Sequence, residues 1–264
     1  MFEHDPAMEL MRAATCGVSK TQATAYLKTK YKLTDQEIKQ TIKICSFNSV
    51  PKKINYENFY NLPVTKKAER IQYPFTQIYT VKNFFSAEEC NEIIDKVKAR
   101  ARPSTVSDPK DKQVVSPYRT SSSADFPHYL DPFCLKLDNK ISGYMEMNPF
   151  LGETLQAQMY EPGQYYKKHC DYFTPGTKEY RTYTEWMGQR TWTFMCYLNG
   201  VEEGGETFFK HLKLKIKPQR GMAVIWNNLY KNGIPNYKTL HEACPPISGN
   251  KYVVTKWFRS WNLI

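Results

Sequence analysis

The chain has 264 residues, 41% hydrophobic and 24% charged, which allows one catalytic-sized domain plus a small appendage and excludes a disordered chain. Its formal charge of +11 comes from lysines and arginines scattered along the sequence, so the expectation is a solvated basic surface and not a nucleic-acid partner. No run approaches the roughly 18 apolar residues of a membrane helix, the first twenty residues lack a signal peptide's apolar stretch, and the seven cysteines show no zinc spacing, so a cytoplasmic chain with free thiols and no membrane contact is expected.

Residues 1–48 read as a helical N-terminal module. Apolar periodicity runs through Met8, Leu10, Met11 and Ala14, then Ala23, Tyr26 and Leu27, then Ile38, Ile42 and Ile44. Ser19 can cap the second helix, and Thr34 with Glu37 makes a capping box for the third. Such a module binds a protein partner or simply extends the fold. Residues 49–73, rich in proline, lysine and asparagine, read as a linker, and a second domain spans 74–264.

That domain opens with a β-type run, TQIYTVKNFF, and a helix whose capping box is Ser86 and Glu89. The stretch 101–126 is polar and serine-rich, and a second helix follows through Phe133, Leu137, Ile141 and Met145. After Gly152 come eight short β-type runs, at 154–160, 165–173, 190–198, 205–209, 214–217, 222–226, 239–244 and 251–258, which predict a closed or double-sheet β architecture. Alternating lysines in HLKLKIK mark one face of an edge strand. Residues 174–189 form a long loop, read as a candidate flap.

Residues two apart on a strand share a face, so His169 and Asp171 in HCD can present an imidazole and a carboxylate to one metal ion. Of the two histidines that follow, His241 is the better third ligand than His211. Two histidines and a carboxylate form the facial triad that leaves positions open on iron, with zinc or manganese as alternatives. Lys251, at the start of the last strand, can pair with the far carboxylate of a dicarboxylic acid such as 2-oxoglutarate.

MYEPGQYYKKHCDYF, RTWTFMCYLNGVEEGGETFF, KPQRGMAVIWNNL, and LHEACPP followed by GNKYVVTKWFRSW together resemble the prolyl 4-hydroxylase branch of the 2-oxoglutarate oxygenases over about residues 76–262, in order and in spacing. The resemblance implies a mainly β fold with flanking helices, a double-stranded β-helix or jelly roll. It implies Fe(II) on His169, Asp171 and His241, Lys251 on the distal carboxylate, and Tyr160 and Thr193 in contact with 2-oxoglutarate. It also implies ascorbate as a helper, a proline-containing peptide or protein as substrate, and succinate and carbon dioxide as products. Ala243, Pro246 and Tyr252 depart from the family's usual glycine, valine and tryptophan, which bears on the pocket wall and leaves every ligand in place. Tyr165, Tyr166, Tyr172, Tyr180, Tyr183 and Trp186 are candidates for stacking proline rings, and Arg119 and Arg259 for holding substrate carbonyls. Competing readings are an oxygenase acting on another side chain or a nucleic acid, and a non-catalytic jelly-roll binding module.

Overall fold

The computed structural model describes residues 20–44, 56–62, 68–107, 113–126, 132–147, 152–184 and 188–260. Helices α1 (Lys20–Tyr31) and α2 (Asp35–Ile44) lie at the N-terminal end. The predicted box opens α2: Glu37 N donates to Thr34 Oγ1 at 3.3 Å and Thr34 N donates to Glu37 Oε2 at 2.7 Å. Leu27 and Ile38 are buried. The helix expected around Met8–Ala14 and the Ser19 cap lie outside the described residues.

The stretch read as a linker carries structure. Helix α3 (Tyr56–Tyr60) and strand β1 (Glu69–Tyr73) fall within it, and β1 pairs antiparallel with β2 (Thr76–Val81). Phe59 and Leu62 sink into the main core, and the Trp192 indole donates to Phe59 O at 2.6 Å. Two well-placed apolar side chains anchor this segment without producing any periodicity that a sequence window could register.

Helix α4 (Ala87–Arg100) starts at the expected box of Ser86 and Glu89, and α5 (Pro132–Met145) joins it through Lys140, whose ammonium donates to Glu89 at 2.6 Å. The polar stretch 101–126 holds four short strands, β3 (Arg102–Pro103), β4 (Thr105–Ser107), β5 (Gln113–Val115) and β6 (Ser122–Phe126). All eight β-type runs after Gly152 appear as strands: β7 (Leu155–Tyr160), β8 (Tyr166–His169), β9 (Arg190–Tyr197), β10 (Thr207–Phe209), β11 (Leu214–Ile216), β12 (Ala223–Asn227), β13 (His241–Ala243) and β14 (Lys251–Arg259).

They form a major sheet in the order β1-β2-β12-β9-β14-β7-β6-β3 and a minor sheet in the order β11-β10-β13-β8, with β4 and β5 as a separate hairpin. This is the expected jelly roll. Alternation along β9 shows how the layers are filled. Trp192, Phe194 and Cys196 face α4 and α5, joining Cys90, Ile93, Val97, Leu137 and Ile141 in one core. Met195 and Tyr197 face the minor sheet and join Ile78, Phe209, Ile216 and Trp226 in a second, smaller core. Strand β11 is the edge of the minor sheet, with Lys213, Lys215 and Lys217 exposed as the alternation predicts. Gly204 and Gly205, at φ +77° and +71°, turn the chain into β10; a Cβ on Gly204 would lie 2.4 Å from Pro245 O, so the turn admits only glycine there. Among the described residues no helix is long and apolar enough to cross a membrane, and Cys90, Cys134, Cys170, Cys196 and Cys244 are free thiols.

Candidate metal centre

Strands β8 and β13 pair antiparallel with His169 directly opposite His241, and Asp171 follows as β8 ends. Asp171 Oδ1 lies 3.8 Å from His169 Nε2 and 4.0 Å from His241 Nε2, and the three ligand atoms all lie within 4.8 Å of one another. Each imidazole is oriented by its own strand. His169 Nδ1 sits 2.8 Å from Lys167 O and His241 Nδ1 sits 2.9 Å from Thr239 O. With Nδ1–H donating to a carbonyl, each Nε2 lone pair is turned toward Asp171, the arrangement a metal ion requires. His211 lies outside the cluster, exposed, its ring against Tyr237.

Electrostatics prepare the same donor set. Burial, reinforced by the neighbouring His241, pushes the His169 pKa down to about 3, which keeps that imidazole neutral. Burial works to raise Asp171, but His241, His169 and Arg190 together hold its carboxyl below the usual range. Thr193 Oγ1 donates to Asp171 Oδ2 at 2.6 Å, and Asn228 Nδ2 donates to Thr193 Oγ1 at 2.9 Å. Thr193 was expected to touch 2-oxoglutarate. It lies fully buried behind Asp171 and does not line the cavity, because its place on β9 aims the hydroxyl at the carboxylate.

The triad opens into a cavity of about 710 Å³, within the usual range of ligand sites. Lys251 and Tyr160, directly paired between β14 and β7, line it together. Lys251 is 1% exposed, its ammonium lies 4.8 Å from the Tyr160 ring centre, and no described carboxylate lies within ion-pair distance. Burial pulls its pKa down to about 8. A buried cation facing a cavity, with no described carboxylate at ion-pair distance, suits an anionic ligand. The donor set and this ammonium thus fit a divalent metal and a dicarboxylate in one chamber.

Glu153 and Arg190, beside the chamber, carried no sequence signal. Glu153, fully buried, receives Arg190 Nη2 at 2.5 Å and Arg259 Nη1 at 2.8 Å. Arg190 also donates to Asp171 O at 3.2 Å, and Arg259 donates to Tyr183 O in α6 (Lys178–Thr184), the helix within the predicted flap. Arg259 is therefore engaged in structure and does not line the cavity. Arg119 does line it. Its guanidinium donates to Ser121, Ser123 and Gln156 and covers the Tyr166 ring, which stacks on His169 with ring centres 3.6 Å apart. Of the candidate stacking aromatics, Tyr166, Tyr172 and Tyr183 line the cavity, and Trp186 lies outside the described residues. Val106 and Tyr118, near the β4–β5 hairpin, and Glu179 and Tyr183 of α6 also line the cavity.

Comparison with known proteins agrees with this geometry. The sequence profile of the 2OG-Fe(II) oxygenase superfamily matches residues 155–259. The chain is 34% identical over 64% of its length to prolyl 4-hydroxylase subunit alpha-2 of Gallus gallus and 32% identical over 75% to subunit alpha-3 of Homo sapiens. It spans only 32% and 36% of those proteins. It is 34% identical to probable prolyl 4-hydroxylase 10 of Arabidopsis thaliana, over 67% of the chain and 66% of that protein. Among solved structures it resembles the viral collagen prolyl hydroxylase vCPH of Paramecium bursaria Chlorella virus-1, in its 2OG complex, with TM-score 0.53 and 26% identity over 69% of this chain and 95% of that one.

Proposed function

We propose, from the premise that this chain belongs to the prolyl 4-hydroxylase family of the 2OG-Fe(II) oxygenase superfamily, that it hydroxylates prolyl residues in a peptide or protein. Fe(II) and 2-oxoglutarate are its cofactor and co-substrate, and ascorbate is typical of the family. The observation that carries the reading is the sharing of one cavity by the His169–Asp171–His241 cluster and the buried Lys251 ammonium.

His169, Asp171 and His241 would hold the metal, which when bound couples decarboxylation of 2-oxoglutarate to C–H hydroxylation, one atom of dioxygen entering the prolyl residue and the other succinate. The chain's own part is positioning. Lys167 O and Thr239 O keep both Nε2 atoms on the metal side, and Thr193 fixes the second carboxylate oxygen. Lys251 would pair with the distal carboxylate of 2-oxoglutarate, with the Tyr160 ring packed beside that ammonium. The apolar shell of Trp226, Phe209 and Met195 excludes water from one side.

The test is incubation of the purified protein with Fe(II), 2-oxoglutarate, ascorbate and proline-rich peptides, with peptide mass and succinate read together beside His169→Ala and Lys251→Ala. A gain of one oxygen on proline, lost in both variants, is expected. Succinate without peptide oxidation removes proline as the target and keeps the oxygenase. Neither product from iron-loaded protein removes the enzyme reading.

A further inference from the structure

Phe75 occupies the second turn position of the β1–β2 hairpin, where Tyr73 pairs with Thr76, and its φ is +58°. That conformation favours glycine and strains a residue bearing a Cβ. The strained residue is a phenylalanine, 74% exposed, an arrangement that gains nothing in packing. It is held in place: Asn236 Nδ2 donates to Phe75 O at 3.2 Å, and the Lys238 ammonium lies 5.4 Å from its ring centre.

From Phe75 a continuous strip can be followed across the surface. Lys238 adjoins Tyr237, which is 55% exposed, and Tyr237 meets the exposed His211 with ring centres 5.4 Å apart. His211 stands between Lys210 and Lys213 in the turn into β11, both exposed, and Ile234 adds a further exposed apolar side chain from the same loop as Tyr237. Between Glu206 and Glu242 the sequence holds no aspartate or glutamate, so the strip's own residues from that stretch are basic, aromatic or aliphatic. It also reaches the chamber, because Leu240, two residues beyond Lys238, lines the cavity and His241 follows it.

We propose that this strip is a docking surface for the substrate outside the cavity, and that the substrate is an acidic, proline-rich polypeptide. Prolines prefer the extended polyproline conformation and lay their rings on exposed aromatics, here Phe75 and Tyr237. Carboxylates spaced between the prolines meet Lys210, Lys213 and Lys238, whose charge lacks acidic neighbours in sequence. The assignment rests on the prolyl hydroxylase reading and adds to it the charge of the substrate.

The experiment reads binding without turnover, so its failure is separate from failure of that reading, which the hydroxylation of a neutral Ser-Pro peptide decides independently. Fluorescein-labelled alternating Glu-Pro and Lys-Pro peptides are titrated with the full chain at low salt and followed by anisotropy, beside a single-stranded oligonucleotide of the same charge as the Glu-Pro peptide. The variants are Phe75→Gly, which suits the turn's backbone, and Lys213→Glu with Lys238→Glu. The Glu-Pro peptide is expected to bind about tenfold more tightly than Lys-Pro, with the preference lost in the lysine variant and affinity several-fold weaker in Phe75→Gly. Equal binding of the two peptides, or a preference that survives both variants, overturns the proposal. Tighter binding of the oligonucleotide overturns the occupant and makes the strip a nucleic-acid surface.

Discussion

Thr193 gives its one hydroxyl hydrogen to Asp171 and accepts from Asn228, so its chemistry is to fix a carboxylate that must present one particular oxygen to the metal. Thr193→Val keeps the shape and removes both hydrogen bonds. Metal affinity is expected to fall roughly 10- to 100-fold, as is usual when a partner of a ligand is lost, with turnover at saturating iron much less affected. Competition against a chromophoric chelator measures it, and an unchanged metal affinity would show that the contact is incidental. Lys251 makes a second prediction at this scale. Its ammonium must be charged to pair with a carboxylate, and in the free protein burial holds its pKa down to about 8. The charged fraction therefore falls as pH rises through that value, and kcat/KM for 2-oxoglutarate should decline about tenfold per pH unit beyond it. Lys251→Arg, protonated at every accessible pH, should abolish that alkaline limb even where overall efficiency drops. An identical limb in both proteins would assign it to another group.

At the scale of elements, Glu153 ties together the start of β7, the start of β9 and the end of β14, and through Arg259 it reaches α6. Glu153→Gln leaves two buried guanidiniums facing a neutral amide, a loss of about 3–5 kcal/mol where buried pairs are broken from one side. A lowered unfolding midpoint in urea with an unchanged slope should follow, and amide exchange in Lys178–Thr184 should accelerate more than exchange in α4. Uniform acceleration would deny α6 any special dependence on Glu153. This network was invisible in the sequence because Arg190 and Arg259 lie 37 and 106 residues from Glu153, and Arg259, singled out for substrate carbonyls, gave no sign of pairing with it. The eight strands after Gly152 were legible because their inward positions are apolar and regularly spaced. Strands β3 and β6 were not, because beside the apolar Ala124 and Phe126 this stretch buries hydroxyls: Ser104 lies 2.9 Å from Ser121 and 2.5 Å from Ser123, with Arg119 donating to the latter two. A buried serine ladder satisfied by a guanidinium has the composition of a loop and the geometry of a sheet. The triad was legible for the opposite reason, since two of its members lie on one short strand and its exit, where the period of two fixes their common face. Thr193 was placed in the right neighbourhood, but its bond to Asp171 depends on side-chain direction, which no spacing encodes.

Across the whole molecule, the two cores divide the labour. The larger lies between the major sheet and helices α4 and α5 and includes no residue of β8 or β13, whereas the smaller lies between the sheets, beside the triad. Metal therefore joins β8 to β13 within the minor sheet without closing the main core. Binding only to the folded state at a hundred times its dissociation constant adds about 2.7 kcal/mol, which for a chain of this size raises the melting temperature by roughly 5–10 °C. Stripping Fe(II), or a redox-inert surrogate such as Mn(II), should lower the melting temperature by that amount and leave a cooperative transition. Hydrogen exchange should then quicken at β8, β13 and the segment to Asp171, while β2, β9 and α4 retain their protection. Collapse of the whole fold on chelation would contradict the division, because it would require the metal to hold together a core whose apolar contacts, Trp192 and Phe194 against Ile93 and Leu137, lie on the far side of the major sheet.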